Sequence, residues 1–148
     1  MQIAGLQKLT LIDYPDKIAC TIFLFGCNFR CGFCHNPELV LSDKPKKEYK
    51  EKKILDFLRQ RKKYLDAICI TGGEPLINFD LPELLKKIKG LGFLVKLDTN
   101  GSNPKRLKEL ISKKLVDYIA MDIKADKDNY NVLAEVKIDI NQIEESIK

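Results

Sequence analysis

No stretch of the 148 residues stays apolar for long enough to cross a bilayer. The longest uncharged apolar run, Ile18 to Cys27, falls far short of the roughly 20 residues a spanning helix needs. The opening MQIAGLQKLT lacks a charged n-region followed by an apolar h-region, so no secretory signal is visible. The chain is therefore expected in the cytoplasm, with no membrane partner. Internal repeats and low-complexity tracts are also missing. Histidine is reduced to a single residue, His35, which leaves little for a histidine-rich metal site. The cysteines do not pair off. Cys20, Cys27, Cys31, Cys34 and Cys69 make five, so a disulfide framework would leave one over, and a reducing cytosol disfavours such a framework.

What is present reads as a globular chain. Hydrophobic residues at 45% and charged residues at 32% exclude wholesale disorder, and the length suits one domain or a piece of one. The net charge of +5 is local: Lys44 to Lys63 holds ten basic and three acidic residues, so the remainder is slightly acidic. A nucleic-acid reading would rest on that segment alone. A solvated helix face with its inner edge at Ile54, Leu55 and Leu58 explains it better, so nucleic acid is not expected as a partner.

Strand and helix signals alternate. Ile18 to Phe25 is a β-rich apolar run that reads as a buried strand, and Leu6 to Ile12 can pair with it across the turn Asp13-Tyr14-Pro15-Asp16. Glu48 to Tyr64 reads as a helix and Ala67 to Thr71 as a strand. Leu81, Leu84, Leu85, Ile88 and Leu91 mark one helical face, stopped by Gly90 and Gly92. Phe93 to Leu97, a helix around Leu107, Leu110, Ile111 and Leu115, and a strand from Tyr118 to Ile123 complete the series. Such alternation predicts an α/β fold with a parallel sheet and outer helices. Asn141 to Glu144 looks like a helix start with Asn141 as N-cap, and the chain is expected to stop inside that helix, cut short.

Three cysteines fall in the run Cys27-Asn28-Phe29-Arg30-Cys31-Gly32-Phe33-Cys34, spaced C-x3-C-x2-C, on a loop after the first parallel strand. Thiolates are soft ligands for iron and zinc. A [4Fe–4S] cluster normally takes four of them, so three would leave one iron open to a substrate or cofactor. The alternatives are a zinc site completed by His35 or another cysteine, or three unliganded thiols. His35 adjoins Cys34 and could bend back only with strain. Cys20 and Cys69 lie on predicted strands and read as small apolar core residues.

The cysteine spacing with Phe33 before the last cysteine resembles the signature of the radical S-adenosylmethionine (radical SAM) superfamily. Thr71-Gly72-Gly73-Glu74-Pro75 resembles its GGEP motif. The opening LIDYPDKIACTIFLFGCNFRCGFCHNPEL, with Asp98-Thr99-Asn100-Gly101 and Met121-Asp122-Ile123-Lys124, is similar to the glycyl-radical-enzyme activating branch. That branch activates anaerobic ribonucleoside-triphosphate reductase or pyruvate formate-lyase. The resemblance spans residues 1–148 as one radical SAM domain and implies a partial (β/α) TIM-type barrel, cut short at the C-terminus.

It further implies that Cys27, Cys31 and Cys34 each hold one iron of a [4Fe–4S] cluster. The open iron would chelate S-adenosylmethionine, whose reductive cleavage gives a 5′-deoxyadenosyl radical that installs a glycyl radical on the partner. Gly72 and Gly73 would bring backbone carbonyls to the SAM amino group, and Glu74 would pair with that amine. Asp98, Thr99 and Asp122 would form a ribose or monovalent-cation site. Lys124 would meet the SAM carboxylate, and Asn36 would lie nearby. The implied partners are a glycyl radical enzyme, with Lys44 to Lys63 a candidate docking surface, and a flavodoxin- or ferredoxin-type electron donor. Two rivals remain: a radical SAM enzyme acting on a small molecule, such as a 7-carboxy-7-deazaguanine synthase, and a non-catalytic iron–sulfur or metal-binding protein.

Overall fold

Ala19-Cys20-Thr21-Ile22-Phe23-Leu24 is apolar on both faces, and a strand of that kind is stable only with neighbours on both sides and layers above and below. The computed structural model, which describes all 148 residues, places it accordingly. The chain runs β1 (Ile3–Thr10), β2 (Ala19–Leu24), α1 (Glu51–Arg61), β3 (Ala67–Gly72), α2 (Leu81–Gly90), β4 (Leu94–Thr99), α3 (Pro104–Ser112), β5 (Tyr118–Met121), α4 (Tyr130–Ala134) and α5 (Ile140–Ile147). The five strands form one sheet in the order β1-β2-β3-β4-β5. β1 pairs antiparallel with β2, and every other pairing is parallel. The result is an open arc of strand–helix units, the α/β partial barrel expected from the sequence. No helix is long and apolar enough to cross a membrane.

Alternation within each strand sorts the core. Cys20, Ile22, Leu24, Ile68, Ile70, Val95 and Leu97 face the helices. They meet Ile54, Leu55 and Leu58 of α1, Leu84, Leu85 and Ile88 of α2, and Leu107 and Leu110 of α3 in one cluster. The opposite face is thinly covered: Tyr14, Ala19, Ala67 and Cys69 form a small second cluster. Both Cys20 and Cys69 are fully buried, and burial pushes each thiol up to about 12.

Local chemistry sets the element ends. Asn103 caps α3 by accepting a hydrogen bond from the Arg106 N–H at 3.2 Å, with Pro104 at the first helical position. α1 begins three residues later than its periodicity predicts. Lys50 is extended, and Tyr49 is drawn into a bridge with Ile3 beside the sheet. α5 is capped by Asp139, whose carboxylate accepts from the Asn141 N–H at 3.1 Å, so Asn141 lies inside the helix rather than at its cap. The short α4 carries no clear periodicity, and the sequence pattern does not predict it. It ends at Glu135, which takes a left-handed conformation at φ +52°. Ile143 of α5 is buried with Phe29, Tyr130 and Ala134 in a third cluster. That cluster ties the C-terminal helices to the cysteine loop.

Candidate functional site

Strand register assembles the site. Leu24 of β2 lies opposite Gly72 of β3, and Thr99 of β4 opposite Met121 of β5. The loops leaving these four strands therefore emerge side by side at the C-terminal ends, where parallel α/β folds place their sites. There they enclose a cleft of about 720 Å³. It is lined by Cys27, Cys31, Cys34, Asn36, Gly72, Gly73, Asp98, Thr99, Asp122 and Lys124, with Phe29, Phe33, Val40 and Ile123 among its apolar walls. Ten of the eleven site residues expected from the sequence thus share one cleft. Glu74 does not line it.

Glu74 is buried, 1% exposed, and its carboxylate points into the protein. Oε1 accepts hydrogen bonds from the Leu76 N–H at 2.9 Å and the Thr99 hydroxyl at 2.8 Å, and Oε2 from the Asn100 N–H at 2.7 Å. Its own N–H donates to the Gly26 carbonyl at 2.8 Å. This one residue thus joins the loops after β2, β3 and β4, its backbone reaching the first and its carboxylate the other two. The expected pairing of Glu74 with a ligand amine is not what its carboxylate does here: all its bonds go to protein donors. Burial pushes this carboxyl above the usual range, and the three donors pull it partly back.

The paired glycines have a packing reason as well. Gly72 sits at φ +119°, and a Cβ there would collide with the Leu24 backbone. A Cβ on Gly73 would collide with the Gly26 carbonyl. Only glycine lets the turn after β3 press against the root of the cysteine loop.

The cysteine loop is fastened along its length. Arg30 donates through its guanidinium to the carbonyls of Cys27 at 2.6 Å and Phe29 at 2.8 Å. Its N–H donates to the Ala134 carbonyl of α4 at 2.9 Å. The Cys34 N–H donates to the Cys31 carbonyl at 3.1 Å. Phe29 is buried edge-on against Tyr130, with ring centres 6.4 Å apart. All five cysteines are free, and the three in the loop are half-buried. Burial raises the Cys27 thiol, with the Phe29 N–H opposing. Burial also raises Cys31, and there the Lys124 ammonium opposes it. No three His, Cys, Asp or Glu side chains converge on a point as a single ion requires. A tetrahedral zinc would need sulfurs roughly 3.8 Å apart, given Zn–S bonds of about 2.3 Å. Three ligands that each hold a different iron need no such convergence.

Each cleft carboxylate already has a cation. Lys96 Nζ lies 2.5 Å from Asp98 Oδ1, both on the same face of β4 two residues apart. Lys124 Nζ lies 2.9 Å from Asp122 Oδ2. Burial pulls the Lys124 ammonium down, but the Asp122 carboxylate more than offsets this and holds it above the usual lysine range. Sequence reasoning missed Lys96, Phe29 and Asn100. Lys96 stands two residues before Asp98, the spacing that puts both on one strand face. Asn100 carries no local signal of its role, because Asn-Gly is a common turn pair.

The sequence matches the Radical SAM superfamily over residues 21–148. It is 40% identical over 147 residues to a Methanocaldococcus jannaschii protein named as a glycyl-radical enzyme activating enzyme, covering 98% of this chain and 59% of that one. It is 30% identical over 138 residues to the pyruvate formate-lyase-activating enzyme of Clostridium pasteurianum, covering 89% of this chain and 56% of that one. The chain thus spans under two thirds of the length of these relatives. Among solved structures, it superposes on Streptococcus suis SuiB bound to S-adenosylmethionine with a TM-score of 0.56 at 24% identity, covering 79% of this chain and 29% of that one. On Escherichia coli QueE the TM-score is 0.55 at 22% identity, covering 68% and 53%. These two likenesses concern the fold.

Proposed function

The chain belongs to the radical SAM superfamily, and on that premise we propose that it serves as a glycyl-radical enzyme activating enzyme. The observation that carries this reading is the shared cleft. Three half-buried thiols on one loop face the glycine turn after β3 and the charged ends of β4 and β5. Family membership implies a [4Fe–4S] cluster and S-adenosylmethionine, and the donor set suits them: three thiols suffice for three irons and leave one open. Bound there, these groups supply one-electron cleavage of the sulfonium and, with it, hydrogen-atom abstraction from a glycine of a partner protein.

The chain's own residues bind and orient. Cys27, Cys31 and Cys34 would hold the irons. The backbone of Gly72 and Gly73, with Asn36 and Thr99, borders the SAM site, while Asp98 and Asp122 face its polar groups. Lys124 keeps its proton and so presents a positive charge to the SAM carboxylate. A monovalent cation would find its ligands at Asp98, Thr99 and Asp122, where Lys96 and Lys124 pair with the two carboxylates. Phe33, Val40 and Ile123 give the cleft an apolar wall. Glu74 acts on the scaffold, holding Thr99 and Asn100 in place. The relatives' names favour a glycyl radical enzyme as partner, with pyruvate formate-lyase among the candidates; the resemblance of the motifs adds an anaerobic ribonucleotide reductase and a flavodoxin- or ferredoxin-type electron donor to the proposal.

Anaerobic reconstitution tests the reading. About four irons per chain are expected, lost on replacing Cys27, Cys31 or Cys34 by alanine. With S-adenosylmethionine, reductant and such a partner, electron paramagnetic resonance should show a glycyl radical on the partner. Stoichiometric zinc in place of iron rejects the cluster. Deoxyadenosine release that depends on a small molecule and never on a protein rejects the activating role.

A further inference from the structure

The three thiols are not equivalent. Cys27 is the one whose sulfur accepts N–H donors: the Phe29 backbone at 3.3 Å and the Asn100 side-chain amide at 3.9 Å. Asn100 lies in the loop after β4, 73 residues away in sequence, and is only 6% exposed. Its placement is over-determined. The Asn100 N–H donates to Glu74 Oε2, and its side-chain carbonyl accepts from the Ser102 N–H at 2.9 Å. Its amide also donates to Asn28 Oδ1 at 3.0 Å, and Asn28 in turn donates to the Ser102 hydroxyl at 2.8 Å. The Asn100 carbonyl is thereby occupied, which leaves its NH2 group pointing at Asn28 and Cys27. A fixed amide aimed at one ligand sulfur is an electrostatic device. Its dipole stabilises whichever state of a bound cluster carries more negative charge.

We propose that Asn100, oriented by Asn28, is a positioning residue that acts through Cys27 to raise the reduction potential of the cluster. This rests on the proposed iron–sulfur reading and goes beyond it. The step affected is the gain of one electron by the cluster from an external one-electron reductant. No bond to the protein is made or broken. Because the reduced cluster is the more negative state, the N–H dipole favours it.

The test is a mediated redox titration of reconstituted protein, followed by electron paramagnetic resonance of the reduced cluster. Three forms are compared: wild type, Asn100→Leu and Asn28→Ala. Asn100→Leu keeps the branched four-atom shape of the side chain and removes both N–H donors, together with the carbonyl that accepts from Ser102. At a fixed poise the ratio of reduced to oxidised cluster should fall roughly three- to tenfold, tenfold being about 59 mV for one electron. Asn28 is exposed, so Asn28→Ala leaves the core untouched and frees the Asn100 amide. It should shift the ratio in the same direction by a smaller factor. Equal iron content with unchanged potential in both variants overturns the inference and leaves the proposed function standing. The inference is likewise overturned if Asn100→Leu fails to load and Asn28→Ala loads with the wild-type potential. A wild-type chain that takes up no iron overturns the proposed function itself, and the inference with it.

Discussion

The Glu74 carboxylate ties the turn after β3 to the end of β4 and the loop beyond it, which makes this side chain the first to probe. An amide cannot replace it cleanly. In Glu74→Gln, whichever way the new amide is turned, its NH2 faces a backbone N–H, at Asn100 or at Leu76. The substitution should cost about 1–3 kcal/mol in chemical denaturation. The pH dependence has a definite sign. The folded value lies above the unfolded one, near 4.5, so the folded state holds the proton more tightly. The contribution is complete below pH 4.5 and is lost as pH rises through the folded value. The Glu74→Gln variant should lack that slope.

Cys20 and Cys69 follow the same rule at alkaline pH: stability is lost between about pH 9 and about 12, as the unfolded thiols ionise and the folded ones resist. Their burial also predicts a thiol count. In iron-free native protein at about pH 8, a disulfide reagent should titrate Cys27, Cys31 and Cys34 and reach Cys20 and Cys69 only after denaturation. Five fast-reacting thiols in the native state would contradict the placement of both strands.

At the scale of elements, the C-terminal helices act as a brace for the cysteine loop. α4 receives the Arg30 N–H at its end, and α5 seats Ile143 against Phe29 and Tyr130. The Ser146 hydroxyl donates to the Gly101 carbonyl at 2.7 Å, which links α5 to the Asn100 loop as well. Truncating a buried isoleucine to alanine costs about 2–5 kcal/mol. Because the third cluster is small, the loss should fall locally. Ile143→Ala should make the segment from Cys27 to Cys34 exchange its amides faster, while the amides of β2 and β3 keep their protection. Uniform acceleration across the sheet would show that the brace and the sheet unfold as one unit.

For the whole molecule, the layers divide the work. The helix-facing side of the sheet holds the large core of 21 residues, and the cleft opens at the strand ends. Leu58 of α1 is fully buried among the helix-facing residues and does not line the cleft. Leu58→Ala should lower global stability by about 2–5 kcal/mol, read as a shifted denaturation midpoint. Iron uptake per folded chain should be unchanged. A parallel loss of iron sites under native conditions would mean that the core and the cleft are coupled more tightly than the layering implies.

Much of this protein could be read directly from the residue pattern. Alternating apolar runs of strand and helix length allow few arrangements besides a parallel sheet with outer helices, since every apolar face must be covered. The spacing of Cys27, Cys31 and Cys34 and the three later motifs identified the strand ends that carry chemistry, because sequence-local loops keep their ligands together wherever the chain goes. What the sequence could not supply was the direction in which a side chain points across a long loop closure. Glu74 turned inward to three protein donors, Lys96 reached Asp98 two residues on, and Asn100 met Cys27 from two strands away. Those outcomes depend on the pairing register of separate strands and on which buried polar groups must be satisfied. Both are properties of the assembled tertiary structure, not of any local stretch.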